Sequence, residues 1–289
     1  MEKNRIYQVA GHCFRILGES LCKVVDDIDG FKPFEVSEGE PLFSFVEGID
    51  APNLKDKQYH FTYEDVVGKF GRTDKGYMLI LTPKDEESLF LWTDTDVKEV
   101  QIKGNLAVRL CRFAWWVGYG LKTLPYDTVA IHSSCAIFRD RSVLFLGESG
   151  TGKSTHTRLW RENIDGAELL NDDSPIIKVE NGSVWAYGSP WSGKTPCHKQ
   201  ARYELKACVR LSQAPYNSIR KLSVLEAYGA IHPSCPPEFA YDDRLCDYMS
   251  GFMDKLLSNV PFYHLACLPD KEACLLSYKT LFNDEADSQ

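Results

Sequence analysis

The segment GESGTGKSTHTRLW, residues 147–160, has the residue types and the spacing that bind a triphosphate. It fits the pattern G-x-x-x-x-G-K-[ST], in which glycines let backbone N–H groups turn inward around an anion. The preceding run SVLFLG is apolar and typical of a buried strand, and the following KSTHTRLWREN lacks Pro and Gly and predicts a helix. Strand, glycine-rich turn and helix form the context that this pattern requires, so we expect a nucleotide triphosphate to bind here.

Within this loop, Lys153 is expected to reach the terminal phosphates, and the Ser154 hydroxyl is expected to bind Mg²⁺. The N-terminus of the predicted helix adds a partial positive charge to the same site. We therefore predict ATP and Mg²⁺ as ligands. Nucleotide binding is assigned to Gly147, Glu148, Ser149, Gly150, Thr151, Gly152, Lys153, Ser154 and Thr155.

Two adjacent acids, Asp172 and Asp173, follow Lys153 by only 19 and 20 residues. In most enzymes with this loop, the acid on the Mg²⁺ side ends a strand much further along the chain. Two carboxylates at the end of a short apolar strand can share two tasks, because one can bind Mg²⁺ with Ser154 while the other accepts a proton from an acceptor hydroxyl. The sequence leaves open which acid has which role, and a turn-capping Asp pair is the alternative without function.

His132 lies 15 residues before Gly147, on the predicted strand that precedes the loop strand. The segment TVAIHSSCAIFRDRSVLFLG predicts two strands joined by a tight turn near Asp140. Hairpin pairing can therefore bring His132 to the phosphate end, where an imidazole can orient a carboxylate or bind the metal.

These pieces together resemble the C-terminal domain of the HPr kinase/phosphorylase family and, more distantly, phosphoenolpyruvate carboxykinase. The matching segments are IHSSCAI, GESGTGKST and LLNDDSPII, and the resemblance covers residues 126–194. It implies a phosphate-binding-loop fold unlike that of ordinary small-molecule kinases, with a phosphoryl acceptor placed against the Asp pair. It also implies that His132, Asp172 and Asp173 are catalytic, and we add Lys153 of the loop to this predicted catalytic set.

The chain departs from both families. It shows no second substrate domain of carboxykinase size and no evident set of basic residues for oxaloacetate, so carboxykinase activity is not expected. The segment GSPWSGK, residues 188–194, replaces what an HPr kinase would have and is similar to a segment in less-studied relatives of that enzyme. Trp191 and Lys194 are candidates to hold the acceptor, against the alternative of a Pro-Gly turn with a solvated lysine.

The chain divides into two regions. Residues 1–104 are short β-rich segments separated by Gly, Pro and acidic clusters, and they carry no chemical motif. From Asn105, apolar residues recur at helical spacing and predict a helix that joins the two regions. We therefore predict a smaller β-rich N-terminal domain of unknown role over 1–104, and an HPr-kinase-like domain with the phosphate-binding loop over 105–289.

Hairpin signals decide the predicted fold class. Asn181-Gly182 lies between IIKV and VWAY, and Asn-Gly between β-rich runs favours a two-residue hairpin turn. Strands that pair with near neighbours depart from the usual β-α-β order. The prediction is an α/β fold with α+β character, in which a mixed, largely antiparallel sheet carries the loop.

Composition limits the partners and the location. The net charge is −8, and no run of Lys and Arg is dense enough to bind nucleic acid, so a nucleic-acid partner is not expected. The longest apolar passage, FAWWVGYGL, is far too short to span a bilayer, and the first residues lack the apolar stretch of a signal peptide. The ten cysteines contain no C-x-x-C pair, and HPSC and HLAC match no zinc pattern, which indicates free thiols. We expect a cytoplasmic protein without a membrane partner; whether it forms a homo-oligomer is left open.

The sequence thus predicts an ATP-dependent kinase of the HPr-kinase-like group that phosphorylates a hydroxyl, either of a protein serine or of a small molecule. Two alternatives stay open: a regulator that binds nucleotide without chemistry, and an ATPase. Retention of Ser154, Asp172 and Asp173 favours chemistry, because a sensor could lose the acids. Neither the acceptor nor a reverse phosphorylase activity follows from the sequence.

Overall fold

A computed structural model describes residues 3–55, 58–193 and 195–282. The chain forms two compact units. Unit 1 comprises Met1–Tyr126 and Pro237–Met249, and unit 2 comprises Asp127–Pro236 and Ser250–Gln289. Each unit has its own sheet.

Unit 1 is built on an eight-stranded sheet. Its strands are β1 (Asn4–Val9), β2 (His12–Leu17), β3 (Phe43–Glu47), β4 (Gln58–Tyr63), β5 (Val66–Arg72), β6 (Gly76–Pro83), β7 (Leu89–Asp94) and β8 (Glu99–Gly104). Their order in the sheet is β1-β2-β3-β8-β7-β6-β5-β4. Two α-helices accompany the sheet, α1 (Glu19–Asp26) and α2 (Val108–Thr123), and short 3₁₀ turns span Asp29–Phe34, Leu124–Tyr126 and Pro237–Tyr241. All eight strands lie between Asn4 and Gly104.

Helix α2 belongs to unit 1, although the sequence suggested a helix that joins two regions. Trp115 is fully buried, with its ring centroid 5.6 Å from that of Phe31 and 6.1 Å from that of Phe45. The Tyr119 hydroxyl donates a 3.0 Å hydrogen bond to the carbonyl of Val9. Because the apolar face of α2 is buried against the β-rich region, the units divide after Tyr126, whereas the predicted boundary lies after residue 104.

Unit 2 contains a nine-stranded sheet. Its strands are β9 (Thr128–Ala130), β10 (Ser133–Phe138), β11 (Arg141–Leu146), β12 (Glu168–Asp173), β13 (Ile176–Glu180), β14 (Ser183–Tyr187), β15 (Arg202–Gln213), β16 (Ser218–Lys221) and β17 (Phe262–Cys267). The order is β12-β10-β11-β15-β14-β13-β9, and β17 pairs with β15 and β16. The helices are α3 (Lys153–Asn163), α4 (Val224–Ile231), α5 (Asp243–Asn259) and α6 (Lys271–Phe282), with a 3₁₀ turn at His232–Ser234. The division between the units falls inside α5, after Met249.

The sheet of unit 2 is mixed. Among the described strands, β11 with β15 and β15 with β17 are parallel, and the other pairings are antiparallel. The turn between β13 and β14 is formed by Asn181 and Gly182, whose φ angles of 53° and 78° are those of the predicted Asn-Gly hairpin. Strands β10 and β11 form the hairpin expected around Asp140. A mixed α/β architecture with mixed sheets is therefore confirmed.

One face of this sheet is covered by α3 and α6. Phe145 of β11 and Val209 of β15 are fully buried there with Trp160 of α3 and Cys274 of α6. Burying large apolar side chains is the main favourable term in folding, at about 25 cal/mol per Å² of apolar surface. This packing positions the first turn of α3 at the end of β11.

In the ranges that the structure describes, no helix is both long enough and apolar enough to cross a bilayer. All ten cysteines carry free thiols, and Cys246 is the exposed one among them.

Candidate functional site

Three strands of unit 2 meet at one edge of the sheet. In the antiparallel register, Ser133 at the start of β10 lies opposite Leu146, the last residue of β11, and also opposite Asp173, the last residue of β12. His132 directly precedes β10, and Gly147 directly follows β11. The predicted catalytic and nucleotide-binding residues therefore surround a single sheet edge.

The segment 147–152 between β11 and α3 has a backbone that requires glycine. Gly152 precedes α3 with φ 104° and ψ 18°, a left-handed conformation that other residues adopt at a cost. A Cβ at Gly147 would lie 2.4 Å from Thr151 Oγ1. The loop leads into an eleven-residue helix, whose first N–H groups have no acceptor within the helix. These N–H groups and the helix dipole favour an anion at this position.

Lys153 lies across the inside of the loop and is only 9% exposed. Its Nζ donates to the carbonyl of Gly147 at 2.8 Å and to the carbonyl of Glu148 at 3.1 Å. The third contact of Nζ is His132 Nε2, at 3.1 Å. Burial lowers the pKa of Lys153, while the charges of the two acids, Asp173 and Asp172, act in the opposite direction. The ammonium thus lies in a partly dehydrated position beside two carboxylates.

His132 connects Lys153 to Asp173. Its Nδ1 lies 3.2 Å from Asp173 Oδ1. Because an ammonium group has no acceptor, Nε2 of His132 must accept from Lys153, and the ring proton is then on Nδ1, donated to the carboxylate. His132 thus contacts both Lys153 and Asp173. The two roles that the sequence left open for it, orienting a carboxylate and binding the metal, stay predictions.

Asp172 faces the helix instead. Ser154 Oγ donates to Asp172 Oδ1 at 2.9 Å, and Asp172 is only 5% exposed. The two acids are consecutive residues at the end of β12, where side chains alternate in direction, and Asp173 ends the strand with φ 139°. The Gly193 N–H donates to the carbonyl of Asp172 at 2.5 Å, and Asp173 pairs with Ser192 through an isolated bridge. The segment after β14 thus holds the end of β12 in place.

Helix α3 is anchored to β10 by two buried hydroxyls that the sequence reading missed. Ser134 Oγ and Thr157 Oγ1 are 2.8 Å apart, and both residues are at most 2% exposed. Thr157 Oγ1 also lies 3.2 Å from the carbonyl of Lys153. A Thr at the fifth position of a helix is too common a feature to have signalled this contact.

Of the two residues predicted to hold the acceptor, the structure describes Trp191 but not Lys194. Trp191 is 3% exposed, and its carbonyl accepts from Asn171 Nδ2 at 3.2 Å and from Ser189 Oγ at 3.0 Å. This position favours packing beside the acid pair over direct contact with a substrate. Lys194 lies outside the described residues. Contact of either residue with an acceptor stays a prediction.

Two residues of β15, Arg210 and Gln213, also contact the loop, and the sequence reading missed both. Gln213 Nε2 donates to the carbonyl of Gly150 at 3.2 Å, and Arg210 Nη2 lies 3.4 Å from Glu148 Oε1. No local signal marked them, because they reach the loop only through the parallel pairing of β15 with β11.

No protein-family model matches the chain, and no curated protein sequence matches it significantly. A solved structure described as "Structure of the Hpr(Ser) kinase/phosphatase from Coxiella burnetii" is similar over 54% of this chain and 90% of its own, with 15% sequence identity and a TM-score of 0.32. A similarity of this degree carries no argument about the activity of this chain.

Proposed function

We propose that this chain is an ATP- and Mg²⁺-dependent phosphotransferase that moves the γ-phosphoryl group to a hydroxyl, either of a protein serine or of a small molecule. A single observation carries the proposal. Ser154, the second residue of α3, bonds directly to Asp172, and Lys153, the first residue, contacts His132, which in turn contacts Asp173. A loop of this pattern occurs with many activities, whereas an acid pair linked in this way to its Lys and Ser is what phosphoryl transfer needs in addition.

The loop supports binding of the phosphate chain. Lys153 Nζ is held by two carbonyl oxygens and by a ring nitrogen of His132. Phosphate oxygens are stronger acceptors for an ammonium, and an added negative charge favours the charged form of a lysine whose pKa is lowered by burial. When ATP binds, Lys153 Nζ should therefore exchange the carbonyls of Gly147 and Glu148 for phosphate oxygens.

The residues present fit Mg²⁺. Ser154 Oγ and Asp172 Oδ1 are hard oxygen ligands, 2.9 Å apart. Mg²⁺ bound there would neutralise charge that develops on the phosphates. Within the described ranges no group of three or more His, Cys, Asp or Glu could hold a metal. That suits a cation that commonly keeps water and phosphate oxygens as its remaining ligands.

We assign proton acceptance to Asp173. Its side chain is 38% exposed, so an acceptor hydroxyl can approach it, whereas Asp172 is 5% exposed and already bonded to Ser154. His132 holds one oxygen of Asp173 and leaves the other with a long 3.4 Å contact from Ser174 Oγ. In the transfer, the acceptor O–H proton passes to Asp173 and the acceptor oxygen bonds to the γ-phosphorus. The bond from that phosphorus to the bridging oxygen breaks, and ADP leaves.

The experiment is incubation of the protein with Mg²⁺ and γ-labelled ATP in a lysate of the organism that encodes it. Wild type should give a labelled product, and Asp173→Asn should not. Release of labelled phosphate without a labelled acceptor would identify an ATPase. Tight nucleotide binding with neither a labelled product nor released phosphate would identify a regulator that binds nucleotide without chemistry.

Three further expectations stay predictions: that residues 1–104 hold no catalytic group, that the protein is cytoplasmic, and that nucleic acid is not a partner. The proposal does not depend on the first of these, because its residues all belong to unit 2.

A further inference from the structure

The carboxyl end of β15 lies beside the loop, on the side away from the acid pair. Strand β11 has β10 as one neighbour and β15 as the other, and in the parallel register Leu146 lies opposite Arg210. Carboxyl ends of parallel strands meet at the same edge, which is where open α/β sheets bind ligands. Arg210 therefore flanks the loop from one side, as His132 and Asp173 do from the other.

The contact that Arg210 makes with the loop is weak. Its Nη2 lies 3.4 Å from Glu148 Oε1, and the Glu148 side chain is 80% exposed. Ion pairs with so exposed a partner contribute little, because water screens the charges and a long side chain must be ordered. Glu148 is therefore easily replaced by a stronger anion.

The other terminal nitrogen of the guanidinium, Nη1, is in a different position. Arg210 Nη1 is buried and has no hydrogen-bond partner among residues 3–55, 58–193 and 195–282. A buried donor without an acceptor is costly, most of all on a charged group. The cross-strand neighbour of Arg210 on β17 is His264, whose pKa is lowered by burial first and then by the charges of Arg220 and Arg210, while Glu226 acts in the opposite direction. His264 therefore gives Arg210 no compensating negative charge.

We propose that Arg210 is a second cationic ligand of the nucleotide's phosphate chain. This inference rests on the proposed nucleotide site. When the nucleotide binds, its phosphate oxygens replace Glu148 and pair with both terminal nitrogens of the guanidinium, a two-point contact that arginine makes and lysine does not. Glu148 therefore competes with the nucleotide for Arg210.

Calorimetric titration of MgATP into the full chain tests this, with Arg210→Gln, Arg210→Lys, Glu148→Gln and Arg220→Gln beside wild type. Arg210→Gln should weaken binding roughly 10- to 100-fold, and Arg210→Lys should fall between it and wild type. Glu148→Gln should strengthen binding, by roughly 2- to 5-fold, because it removes the competitor. Arg220→Gln is the matched control, since its guanidinium is already held by Glu226 at 2.8 Å, and it should change affinity less than about twofold.

The opposite signs of the two variants separate this role from a structural one, because loss of a stabilising ion pair would weaken binding equally in Arg210→Gln and Glu148→Gln. Equal losses, or wild-type affinity in Arg210→Gln, would overturn the inference. If Arg210→Gln fails to fold, the comparison of Arg210→Lys with Glu148→Gln decides in the same way. Binding that Lys153→Ala abolishes but Arg210→Gln leaves intact keeps the proposed function and removes this inference alone. Wild type that binds no MgATP removes both.

Discussion

Ser154 Oγ donates a 2.9 Å hydrogen bond to Asp172 Oδ1, and this contact joins the first turn of α3 to the end of β12. It exists because β12 returns antiparallel to β10, which places Asp172 opposite Ser134. Ser134 in turn shares a hydrogen bond with Thr157 of α3 at 2.8 Å. Strand β10, which lies between β11 and β12 in the sheet, therefore sets the distance from α3 to the acid pair.

Lys153→Ala should weaken MgATP binding by roughly 10- to 100-fold, since charge-assisted hydrogen bonds contribute about 1.5–3 kcal/mol each. Isothermal titration calorimetry measures this. Lys199→Ala is the matched control, because Lys199 pairs at the surface with Glu168 and should not affect binding. Equal affinity in wild type and Lys153→Ala would show that the loop does not bind the phosphates.

Asp173→Asn and Asp172→Asn should fail in different ways. Asp173→Asn should bind MgATP normally but lose transfer by about 10²–10⁴-fold, because a positioned general base contributes that much. Asp172→Asn should raise the Mg²⁺ concentration needed for half-maximal rate, since an amide binds the cation less strongly than a carboxylate. Initial transfer rates over a Mg²⁺ series distinguish the two.

The control for both substitutions is Asp165→Asn, an exposed acid between α3 and β12. It should match wild type in rate and in Mg²⁺ dependence. A reversed pattern would contradict the assignment of the two roles. In that pattern Asp172→Asn would lose transfer at every Mg²⁺ concentration, and Asp173→Asn would raise the Mg²⁺ requirement.

His132→Ala should reduce transfer less than Asp173→Asn does, because an orienting group supports the base without replacing it. His132→Asn should recover part of that loss, since an amide N–H can take the place of Nδ1–H as a donor to Asp173. The readout is kcat with unchanged affinity for MgATP. His60, exposed on β4, supplies the control His60→Ala. Equal rates in the Ala and Asn variants of His132 would argue against a positioning role.

The lowered pKa of the buried His156 side chain leads to a prediction of how the stability of the protein depends on pH. Burial lowers the pKa of His156 to about 4 from its ordinary 6.5, and its Nε2 contacts Ser277 Oγ at 3.0 Å. Between these values the unfolded chain binds more protons than the folded chain does, so stability should rise with pH across this window and be lost as pH falls towards 4.

The measurement is the free energy of unfolding by denaturant between pH 4 and 7, for wild type and His156→Gln. Glutamine can still bond to Ser277 but does not titrate, so the difference between the two proteins should change across the window by up to roughly 3 kcal/mol. A difference that stays constant with pH would show that His156 titrates normally in the folded state.

Local patterns in the sequence were enough to predict the elements around the loop. Asn181-Gly182 favours its hairpin turn through the backbone conformations that the two residues adopt easily, and the apolar run before Gly147 can lie only in a buried strand or helix. The approach of His132 to the loop was readable for the same reason, because β10 and β11 are antiparallel neighbours joined by a short turn.

What the sequence left open depended on long-range pairing. The allocation of Asp172 to Ser154 and of Asp173 to His132 follows from the pairing of β12 with β10, which places Asp172 opposite Ser134. This pairing is not encoded in the residues LLNDD alone. The extent of unit 1 likewise came from burial of α2, because a helix with an apolar face can pack against the region before it or after it.

The position of Arg210 shows the limit most clearly. Strand β15 joins β11 in parallel, and parallel strands need a long connection, so no turn signal links Arg210 to the loop it contacts. Periodicity can predict which residues of a strand share a face, but only the tertiary structure decides which strand becomes its neighbour. Which strands become neighbours depends on the apolar surface that all of them bury together in the core.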